Sequence, residues 1–558
     1  MGTVLNHWAS CQAQRLSLHV LRCSLLLSAS LVLTAQAAED LTLSIAPGDT
    51  LIGISQRFLQ DPQRWPELKR YNRINQDRRL QPGSSLRIPL KWLRWSELTA
   101  EVVFVQGTVL VAGKPVVAGA QLKAGDSFDT GASGSLTLRV ADGAMVVFPP
   151  NTQASLGVLR EVDGTAVRAT TIELQKGSAD TTVVPLKDPA SSFEIRTPRV
   201  VTAVRGTRFR VAAEGEASRH EVLTGVVAVG EVLPAAGAPG KATLNEAQGL
   251  RAEAGRLGAV VSLLPAANVS ALPQRVERTA QSLTVPPLAG ALAWRWQVAT
   301  DTAFTRLLQD ERTTTPTWLL TSLPDGDYHV RVRAADAQGL EGREAQVPLA
   351  IRARPEPPLL LSPSPGASVA GSGELAWTEL TGAPLYQVQV ARDVRFADLV
   401  LDRAGVKGNR LPMDAAWVPG TYYWRVATMR PEGVKAPFAE GPRGPFADGA
   451  SFTLLPPSAM VPPEVGEGGL KLAWSGPAGF SHRVQVSTDV NFATTEFDQV
   501  VAGSRLELPT PKSGIYYVRT QVVLPDGRPG TWSSSQRFEV PYKHPWGLLL
   551  LMVLLPLL

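Results

Sequence analysis

The side chains most often used in catalysis are few and scattered in this chain of 558 residues. Its only cysteines, Cys11 and Cys23, lie close together near the N-terminus. The four histidines beyond residue 37 lack the H-x-H or H-E-x-x-H spacing of metal sites: His220, His329, His482 and His544. Neither a G-x-S-x-G elbow nor a G-x-x-x-x-G-K-[ST] loop occurs. Acids are abundant enough for a facing carboxylate pair, but the sequence favours a protein without catalytic activity.

The first 37 residues have the features of a secretory signal. Arg15 and Arg22 supply positive charge, and the apolar stretch 24–34 is followed by the A-x-A cleavage site Ala35-Gln36-Ala37. The alternative is a transmembrane anchor, but the apolar stretch is well short of the roughly 20 residues that span a bilayer. Cleavage would remove both cysteines, so the secreted chain would have neither a disulfide nor a thiol nucleophile.

Positive charge is concentrated in one short segment. The formal charge of the chain is +5, and removal of Arg15 and Arg22 leaves +3. Residues 41–90 contain eight lysines and arginines and four acids, a net charge of +4, so the rest of the secreted chain carries −1. Because the excess is local, nucleic-acid binding is not predicted as a property of the whole chain.

The segment 41–90 has the pattern of a small α/β module. Alternating residues at 41–45 predict a strand, Pro47-Gly48 predicts a turn, and Asp49 or Thr50 is well placed to cap a helix. Two sets of apolar residues have helical spacing: Leu51, Ile54 and Phe58, and then Trp65, Leu68 and Tyr71. A turn at 80–83 precedes a second strand. The predicted order is therefore strand, helix, helix, strand.

This segment resembles the LysM family, over less than a tenth of the chain. The matching positions are Gly48-Asp49-Thr50-Leu51, Trp65, Leu68, Asn72, Ile74, Leu80, Pro82-Gly83 and Leu86-Arg87-Ile88-Pro89. The resemblance implies that N-acetylglucosamine-containing glycans, such as peptidoglycan, bind in a groove between two loops. Carried over by position, the groove would be formed by Gly48, Asp49, Thr50 and Leu51 on one side and Asn72, Arg73, Ile74 and Asn75 on the other.

The groove residues also have structural interpretations. Asp49 would cap the first helix rather than bind sugar, and Leu51 and Ile74 would belong to the core. The stretch 69–79 carries five positive charges; it is either a plain solvated face or a surface that attracts an anionic wall polymer, which salt would screen. Many relatives have an aromatic residue where Leu41 stands, a departure that should not affect binding.

Residues 100–252 predict a β domain, either a sandwich or a solenoid. The stretch 135–140 alternates and places Leu136, Leu138 and Val140 on one face. Turn signals recur throughout the region, at Gly113, Gly125, Gly131, Gly143, Gly177 and Gly206.

The same region resembles the FecR-type periplasmic domain. The matching residues are Gly107, Leu122-Lys123-Ala124-Gly125-Asp126, Thr130-Gly131, Asp142-Gly143, Leu174-Gln175-Lys176-Gly177, Thr197-Pro198 and Ala203-Val204-Arg205-Gly206-Thr207-Arg208-Phe209. In regulators of this family the domain senses an outer-membrane transporter, and a cytoplasmic segment handles a sigma factor. A signal peptide and the LysM-like module stand in place of that segment here, so sigma-factor control is not assigned. Arg205-Gly206-Thr207 is interpreted as a turn, with Val204 and Phe209 packed inward.

Three repeats follow, with a period of about 95 residues. Their shared residues are Gln297, Asp301, Phe304 and Tyr328; Gln389, Asp393, Phe396 and Tyr422; and Gln485, Asp489, Phe492 and Tyr516. The period and the Pro/Gly turns predict three β-sandwiches at 265–353, 358–455 and 464–541, which resemble fibronectin type III domains. Pro-rich linkers at 355–365 and 456–463 favour an extended arrangement. The repeated aromatic residues, including Trp294, Trp377 and Trp474, are interpreted as core.

The last 13 residues, 546–558, form an apolar tail. As a helix the tail would extend about 20 Å, which is short of a hydrocarbon core of roughly 30 Å. Three interpretations stay open: a short membrane tail, a strand or helix docked on the last sandwich, and a truncated transmembrane segment.

These features predict a multidomain, mainly β protein of the periplasm or cell envelope of a bacterium. The favoured function is a non-enzymatic scaffold that binds peptidoglycan through the LysM-like module and presents the FecR-like and sandwich domains. The alternative is a periplasmic signal-sensing component that acts through the FecR-like domain with a membrane partner. Neither function calls for a cofactor, a metal or a nucleic acid.

Overall fold

The structure is a computed structural model that describes residues 40–75, 80–232, 240–371, 373–382, 385–430 and 442–542. The expected signal peptide and the apolar tail lie outside these residues. Strands account for 54% of the structure and helices for 4%, which confirms the predicted mainly β fold with a small α/β module. The first compact unit runs to Leu272 and includes Leu283–Trp318 and Tyr328–Pro348. The second comprises Pro273–Ser282, Leu319–Asp327 and the chain from Leu349.

The N-terminal module has the predicted order of elements. These are β1 (Asp40–Ser44), α1 (Leu51–Phe58), a 3-10 turn (Pro62–Arg64), α2 (Trp65–Tyr71) and β2 (Ser85–Pro89). The two strands pair antiparallel, from Asp40 opposite Pro89 to Ser44 opposite Ser85. The helices cover this ribbon and bury one apolar face: Leu41, Leu51, Ile54, Phe58, Leu68, Leu86 and Ile88. Tyr71 was predicted on the apolar side of α2, but 44% of it is exposed.

The β domain contains two sheets around one core. Its strands are β3 (Trp95–Glu97), β4 (Thr99–Gln106), β5 (Leu110–Val111), β6 (Lys114–Pro115), β7 (Gln121–Lys123), β8 (Ser127–Asp129), β9 (Ser135–Arg139), β10 (Met145–Phe148), β11 (Gln153–Val162), β12 (Arg168–Thr182), β13 (Ser192–Arg196), β14 (Val200–Val204), β15 (Arg208–Glu214), β16 (Ala217–Thr224), β17 (Val227–Glu231), β18 (Lys241–Leu244), β19 (Gln248–Glu253), β20 (Arg256–Leu257) and β21 (Val261–Ser262). The core between the sheets lies wholly within residues 100–252. Val204 and Phe209 belong to it, as predicted.

The long strand β12 takes part in both sheets. Residues 168–176 pair with β11 and 169–173 with β13, whereas 177–182 pair with β15. Gly177 lies at the change of sheet with φ of +89°, and a Cβ added to it would stand 2.5 Å from Thr152 Cα. Only glycine fits such a close backbone approach in a left-handed conformation.

Strand β9 is buried on both faces. Leu136 and Leu138 face the core, as their alternation predicted, but Ser135 and Thr137 are buried as well. The Ser135 hydroxyl donates to Leu307 O at 2.7 Å, and the Thr137 hydroxyl donates to Thr305 O at 2.6 Å. This outer face therefore packs against the first repeat, and its buried hydroxyl groups are satisfied by carbonyls of that repeat.

The three repeats consist of short strands, most of which pair antiparallel. The first has β22 (Arg275–Val276), β23 (Ala280–Thr284), β24 (Ala293–Ala299), β25 (Leu307–Thr313), β26 (Thr317–Thr321), β27 (Gly326–Ala335) and β28 (Ala345–Ile351). The second has β29 (Leu360–Ser362), β30 (Ala367–Ala370), β31 (Glu374–Trp377), β32 (Leu385–Ala391), β33 (Leu399–Lys407), β34 (Arg410–Pro412), β35 (Gly420–Met429), β36 (Arg443–Phe446) and β37 (Ala450–Leu455). The third has β38 (Ala459–Gly466), β39 (Gly469–Ser475), β40 (Ser481–Ser487), β41 (Phe497–Ala502), β42 (Arg505–Leu508), β43 (Gly514–Val523), β44 (Pro529–Trp532) and β45 (Gln536–Val540). Unlike the others, β22 pairs parallel with β28 and β30 pairs parallel with β37.

Each of the last two repeats is a sandwich of two sheets. In the second repeat the order β29-β31-β34 faces β30-β37-β35-β32-β33, and in the third β38-β39-β42 faces β41-β40-β43-β44. Trp377 and Trp474 are buried between the sheets, as predicted for core residues. The stretch 456–463 was predicted as a linker, but its last five residues belong to β38. Pro462 and Pro463 fall where the register of that strand shifts, because proline cannot donate a ladder hydrogen bond.

The residues that recur in the repeats form the same set of side-chain contacts on the sheet of each repeat. In the second repeat Gln389 donates to Asp402 at 3.0 Å, and Arg425 donates to Gln389 Oε1 at 2.7 Å. The Arg425 guanidinium lies 4.0 Å from the centre of the Phe396 ring. The equivalent residues make the same contacts in the first and third repeats: Gln297, Asp310, Arg331 and Phe304, and Gln485, Asp498, Arg519 and Phe492.

The three phenylalanines of this set share an unusual backbone conformation. Phe304, Phe396 and Phe492 have φ of 58°, 58° and 56°, in the left-handed region that non-glycine residues rarely adopt. The aspartate three residues earlier, such as Asp393, accepts backbone N–H groups of the loop, at 2.8 Å from Arg395 and 2.9 Å from Ala397. The repeated Asp-x-x-Phe spacing thus closes a loop that aims the ring at the arginine.

We expect Gly177→Ala to destabilise the β domain by about 3 kcal/mol or more, because the new methyl group meets backbone atoms of Thr152. Gly164→Ala is the control, since Gly164 also has a positive φ, of 69°, but no atom lies near its Cβ position. That variant should cost about 1 kcal/mol. Calorimetric unfolding of the full chain compares the two, and equal losses would contradict the packing argument.

Candidate glycan-binding site

The first loop of the module is a tight turn that leads into α1. Gly48 has φ of +90°, and Asp49 accepts the Ala46 N–H on its carboxylate at 2.8 Å. The helix cap is Thr50, whose hydroxyl accepts the Gly53 N–H at 3.0 Å. The interpretation of Asp49 as the cap was therefore wrong, because its carboxylate is already used in closing the preceding turn.

The second loop is held to the sheet by Asn72. Its side-chain amide donates to Arg87 O at 2.7 Å and to Leu68 O at 3.0 Å, and its Oδ1 accepts the Arg87 N–H at 2.7 Å. These bonds join the end of α2 to β2 in the manner of a strand partner. Asn72 therefore positions the loop, and its side chain has little left to offer a ligand.

Helix α2 ends in a Schellman motif. The Arg73 N–H donates to Arg70 O at 3.1 Å, and the Ile74 N–H donates to Lys69 O at 3.1 Å. Arg73 occupies the left-handed position with φ of 56°, where glycine is usual. This fixed turn projects the exposed side chains of Arg73 and Asn75 from the module.

The eight predicted groove residues fall into two groups. Leu51 is only 1% exposed and Asn72 is fully engaged, so both support the loops from within. Gly48, Thr50, Arg73 and Asn75 are exposed, and Asp49 and Ile74 are half-buried. Both loops rest on one core, because the partly buried Ile74 packs against the cluster that contains Leu51.

Ile52 was missed by the sequence reasoning. It follows the buried Leu51 in the first turn of α1, yet it is 50% exposed. Its signal in the sequence is an apolar residue off the face defined by Leu51, Ile54 and Phe58. An exposed isoleucine beside the first loop can pack against the apolar face of a sugar or its acetamido methyl group.

A second group of polar and aromatic residues ties the ends of the module together. The Tyr71 hydroxyl donates to Asp40 Oδ1 at 2.8 Å, and Arg87 Nη2 donates to Asp40 Oδ2 at 2.5 Å. The hydrogen bond and charge of Asp40 raise the pKa of Arg87 above its usual value. Tyr71 also meets Trp92 edge to face, with ring centres 5.7 Å apart. These contacts fix β1, α2 and β2 relative to one another.

The hydrophobic core of the module continues into the β domain. Val162, Val167 and Ala190 of the β domain belong to the same buried cluster as Leu51 and Phe58. Trp95 of β3 also packs against this cluster, and the Arg160 guanidinium covers its ring at 4.3 Å from the centre. The module is therefore anchored on the β domain through apolar packing, and not merely connected to it by a linker.

Two family models match this chain. Residues 44–89 match the LysM domain model. Residues 126–228 match the FecR protein model. These matches confirm both resemblances, and LysM and FecR are families of non-catalytic domains. No curated protein matches the chain.

Several solved structures are similar to parts of the chain. Two crystal structures of a "putative anti-sigma factor" from Parabacteroides distasonis ATCC 8503 share 20% identity, with TM-score 0.19. They match 24% of this chain, which spans 57% of theirs, or about half their length. The chicken CNTN1 FN1–FN3 domains share 14% identity over 50% of this chain and 100% of theirs, with TM-score 0.18. Scores this low do not bear on function.

His220 is a poor candidate for catalysis. His220 is buried between two hydroxyl groups, with Thr202 Oγ1 2.7 Å from Nδ1 and Ser218 Oγ 2.9 Å from Nε2. Burial lowers the pKa of His220 to about 3, so the ring is neutral at ordinary pH. Over the same part of the chain, no group of His, Cys, Asp and Glu forms a metal site, and no helix is long and apolar enough to cross a membrane.

We expect Asn72→Ala to destabilise the LysM-like module by about 2–3 kcal/mol, because it leaves the N–H and C=O of Arg87 without partners. Asn75→Ala, three residues later on the exposed loop, should change stability by less than about 0.5 kcal/mol. Urea unfolding of the full chain, followed by hydrogen exchange of β2 amides, measures both. Similar protection in the two variants would refute the positioning role of Asn72.

The buried His220 predicts a pH dependence of stability. Its folded-state pKa of about 3 lies below the ordinary value of 6.5, so the unfolded chain binds the proton more tightly. The free energy of unfolding should then fall as pH drops below about 6.5, by about 1.4 kcal/mol per unit from this group alone. In His220→Gln this part of the slope should vanish when unfolding of the β domain is measured from pH 7 to 4. An unchanged pH dependence of unfolding in His220→Gln would contradict the role of His220.

Proposed function

We propose that this chain is a non-enzymatic cell-envelope protein that binds peptidoglycan through its LysM-like module. The observation that carries the proposal is the pair of rigid, exposed loops at 46–50 and 72–75, which flank one core within the segment that matches the LysM model. The ligand class follows from that family, whose modules bind N-acetylglucosamine-containing glycans.

The geometry of the loops suits a neutral sugar. Each loop is held by its own hydrogen bonds, at Asp49 and Thr50 in the first and at the Schellman motif in the second. Such loops lose little conformational entropy on binding, which favours affinity for a flexible polymer. Backbone groups around Gly48 and the side chain of Asn75 would contact sugar hydroxyls, while Ile52 would cover the apolar face of a ring.

The remaining domains are proposed to act as the scaffold that holds the module at the wall. The core shared with Val162, Val167 and Ala190 fixes the module on the FecR-like domain. Secretion to the periplasm or envelope is proposed from the N-terminal 37 residues. A membrane attachment through the apolar tail is an additional proposal, and it concerns residues outside those that the structure describes.

The second candidate is a signal-sensing role for the FecR-like domain together with a membrane partner. It is supported by the match of residues 126–228 to the FecR model. The two candidates differ in what residues 100–252 contact in cells. Site-specific crosslinking from exposed positions of this domain, such as Val117, would favour signalling if it captured one envelope receptor reproducibly.

The binding proposal predicts that Ile52→Ser combined with Asn75→Ala weakens co-sedimentation of the full chain with purified peptidoglycan about tenfold or more. Val117→Ser is the matched control, since Val117 is an exposed apolar residue of the β domain, 71% accessible. A soluble N-acetylglucosamine tetramer should compete with the wall material. No soluble wall fragments should appear during incubation.

Two results would reject the proposal. One is equal pelleting of the double variant and the native chain. The other is binding that resists the neutral tetramer but disappears at about 0.5 M salt, which would show adsorption of the net +4 segment to anionic polymer.

A further inference from the structure

The FecR-like domain and the first repeat meet through a cluster of buried ion pairs. Asp180 of β12 accepts from Arg333 at 2.6 Å and from Arg331 at 3.1 Å. Glu341 of the first repeat accepts from Arg295 and Arg333, each at 2.9 Å. These three guanidinium groups are at most 6% exposed. Charges removed from water to this degree are tolerated only when each is paired.

Positive charge exceeds negative charge in this cluster. Seven arginines are joined by ion pairs to six carboxylates, which leaves one positive charge uncompensated. The arginines are Arg208, Arg210, Arg219, Arg295, Arg312, Arg331 and Arg333, and the acids are Asp180, Glu214, Glu221, Asp310, Glu341 and Glu344. The excess includes the half-exposed Arg312, so an anion can approach it from solvent.

Among the described residues, Arg312 and Arg208 each have one ion pair, to a carboxylate that other arginines share. Arg312 pairs with Glu341 at 2.9 Å, and that carboxylate already serves Arg295 and Arg333. Arg312 is 47% exposed, so its guanidinium remains accessible to a second acceptor. A planar guanidinium binds a carboxylate through two parallel hydrogen bonds, which makes it a selective partner for that group.

The cluster opens into a cleft of about 750 Å³ between the two domains. Its charged lining consists of Arg219, Arg295 and Arg312 with the acids Glu214 and Asp310, together with the exposed Lys176 and Glu311. Lys176 belongs to the Leu-Gln-Lys-Gly run of the FecR-like domain, and it contributes one more positive group beside Arg312. Volumes of this size and positions between domains are typical of small-ligand sites.

The cleft also has small apolar residues in its lining. Ala132, Pro150 and Ala212 supply methyl and ring groups, beside the polar residues Asn151 and Ser178. Methyl and ring groups contact small apolar side chains well. The cleft therefore combines groups that recognise a carboxylate with groups that contact methyl groups.

We propose that this cleft binds the C-terminal carboxylate of a short peptide with small side chains, of the kind ending in alanine. The proposal rests on the proposed wall binding and deepens it, because the stem peptides of peptidoglycan have that chemistry. The LysM-like module would hold the glycan, and the cleft would hold the peptide attached to it. Arg312 would pair with the carboxylate, Lys176 would add attraction, and Ala132, Pro150 and Ala212 would contact the methyl groups.

Titration calorimetry of the full chain with acetyl-Lys-D-Ala-D-Ala tests this assignment. The native chain should bind the free acid, and the C-terminal amide of the same peptide should bind at least tenfold more weakly. Arg312→Gln and Lys176→Gln should each weaken the acid, by about tenfold for Arg312, which loses a charge-assisted bidentate contact. Arg306→Gln is the matched control, because Arg306 is an exposed arginine of the same repeat outside the cleft.

If Arg312→Gln disturbs the ion-pair cluster, Lys176→Gln still tests the proposal, because Lys176 does not belong to the cluster. The proposal is overturned if acid and amide bind equally, if both variants bind like the native chain, or if equimolar inorganic phosphate displaces the peptide. Binding of the N-acetylglucosamine tetramer separates the two proposals. If the native chain binds the tetramer but not the peptide, only the cleft proposal is rejected. If it binds the peptide but not the tetramer, only the glycan-site proposal is rejected.

Discussion

A guanidinium group lies at the same position in the sheet of every repeat, and much of the architecture follows from how it is satisfied. Burying an arginine costs several kcal/mol unless its charge is paired or stacked. In the second repeat Arg425 lies between the rings of Phe396 and Phe446, with its Cζ 4.0 and 4.2 Å from their centres. In the third, Arg519 lies between Phe492 and Trp532 at 4.0 and 4.2 Å. In these two repeats, both rings that contact the arginine belong to the repeat itself.

In the first repeat, the equivalent arginine is satisfied by carboxylates in place of a second aromatic ring. Arg331 keeps the ring of Phe304 at 4.1 Å, but carboxylates replace the second ring, with Glu344 at 3.2 Å and Asp180 at 3.1 Å. Burial alone would raise the pKa of Asp180, yet Arg333, Arg331 and Arg295 hold that pKa well below its usual range. Because Asp180 belongs to the FecR-like domain, the first repeat needs that domain to complete the environment of its arginine. A buried ion pair of this kind specifies the docking register more than it adds stability.

The sequence predicted those features that depend on neighbours along the chain. Leu51, Ile54 and Phe58 defined α1 because a helix brings residues three and four apart onto one face. The repeats were visible because Gln, Asp and Phe recur at fixed spacing. The sequence left Asp49 and Thr50 as candidates for the cap because both are good cap formers, and only the turn at Ala46 decides between them. Asn72 was predicted as a ligand from its position in the LysM pattern, and its bonds to Arg87 could not be predicted because they span 15 residues. The pairing of Asp180 with Arg331 spans 151 residues, and no local pattern encodes such a distance.

The shared core of the LysM-like module constrains how the protein can work. The FecR-like domain supplies Val162, Val167 and Ala190 to that core, so the loops at 46–50 and 72–75 stand on a support that extends beyond the module. Tension on a bound glycan would act directly on this apolar contact. The ion-pair cluster then joins the FecR-like domain to the first repeat, so the load would pass through packed surfaces. The same continuity would let a ligand in the cleft stabilise the docked state of both domains, because only that state presents Lys176 beside Arg312.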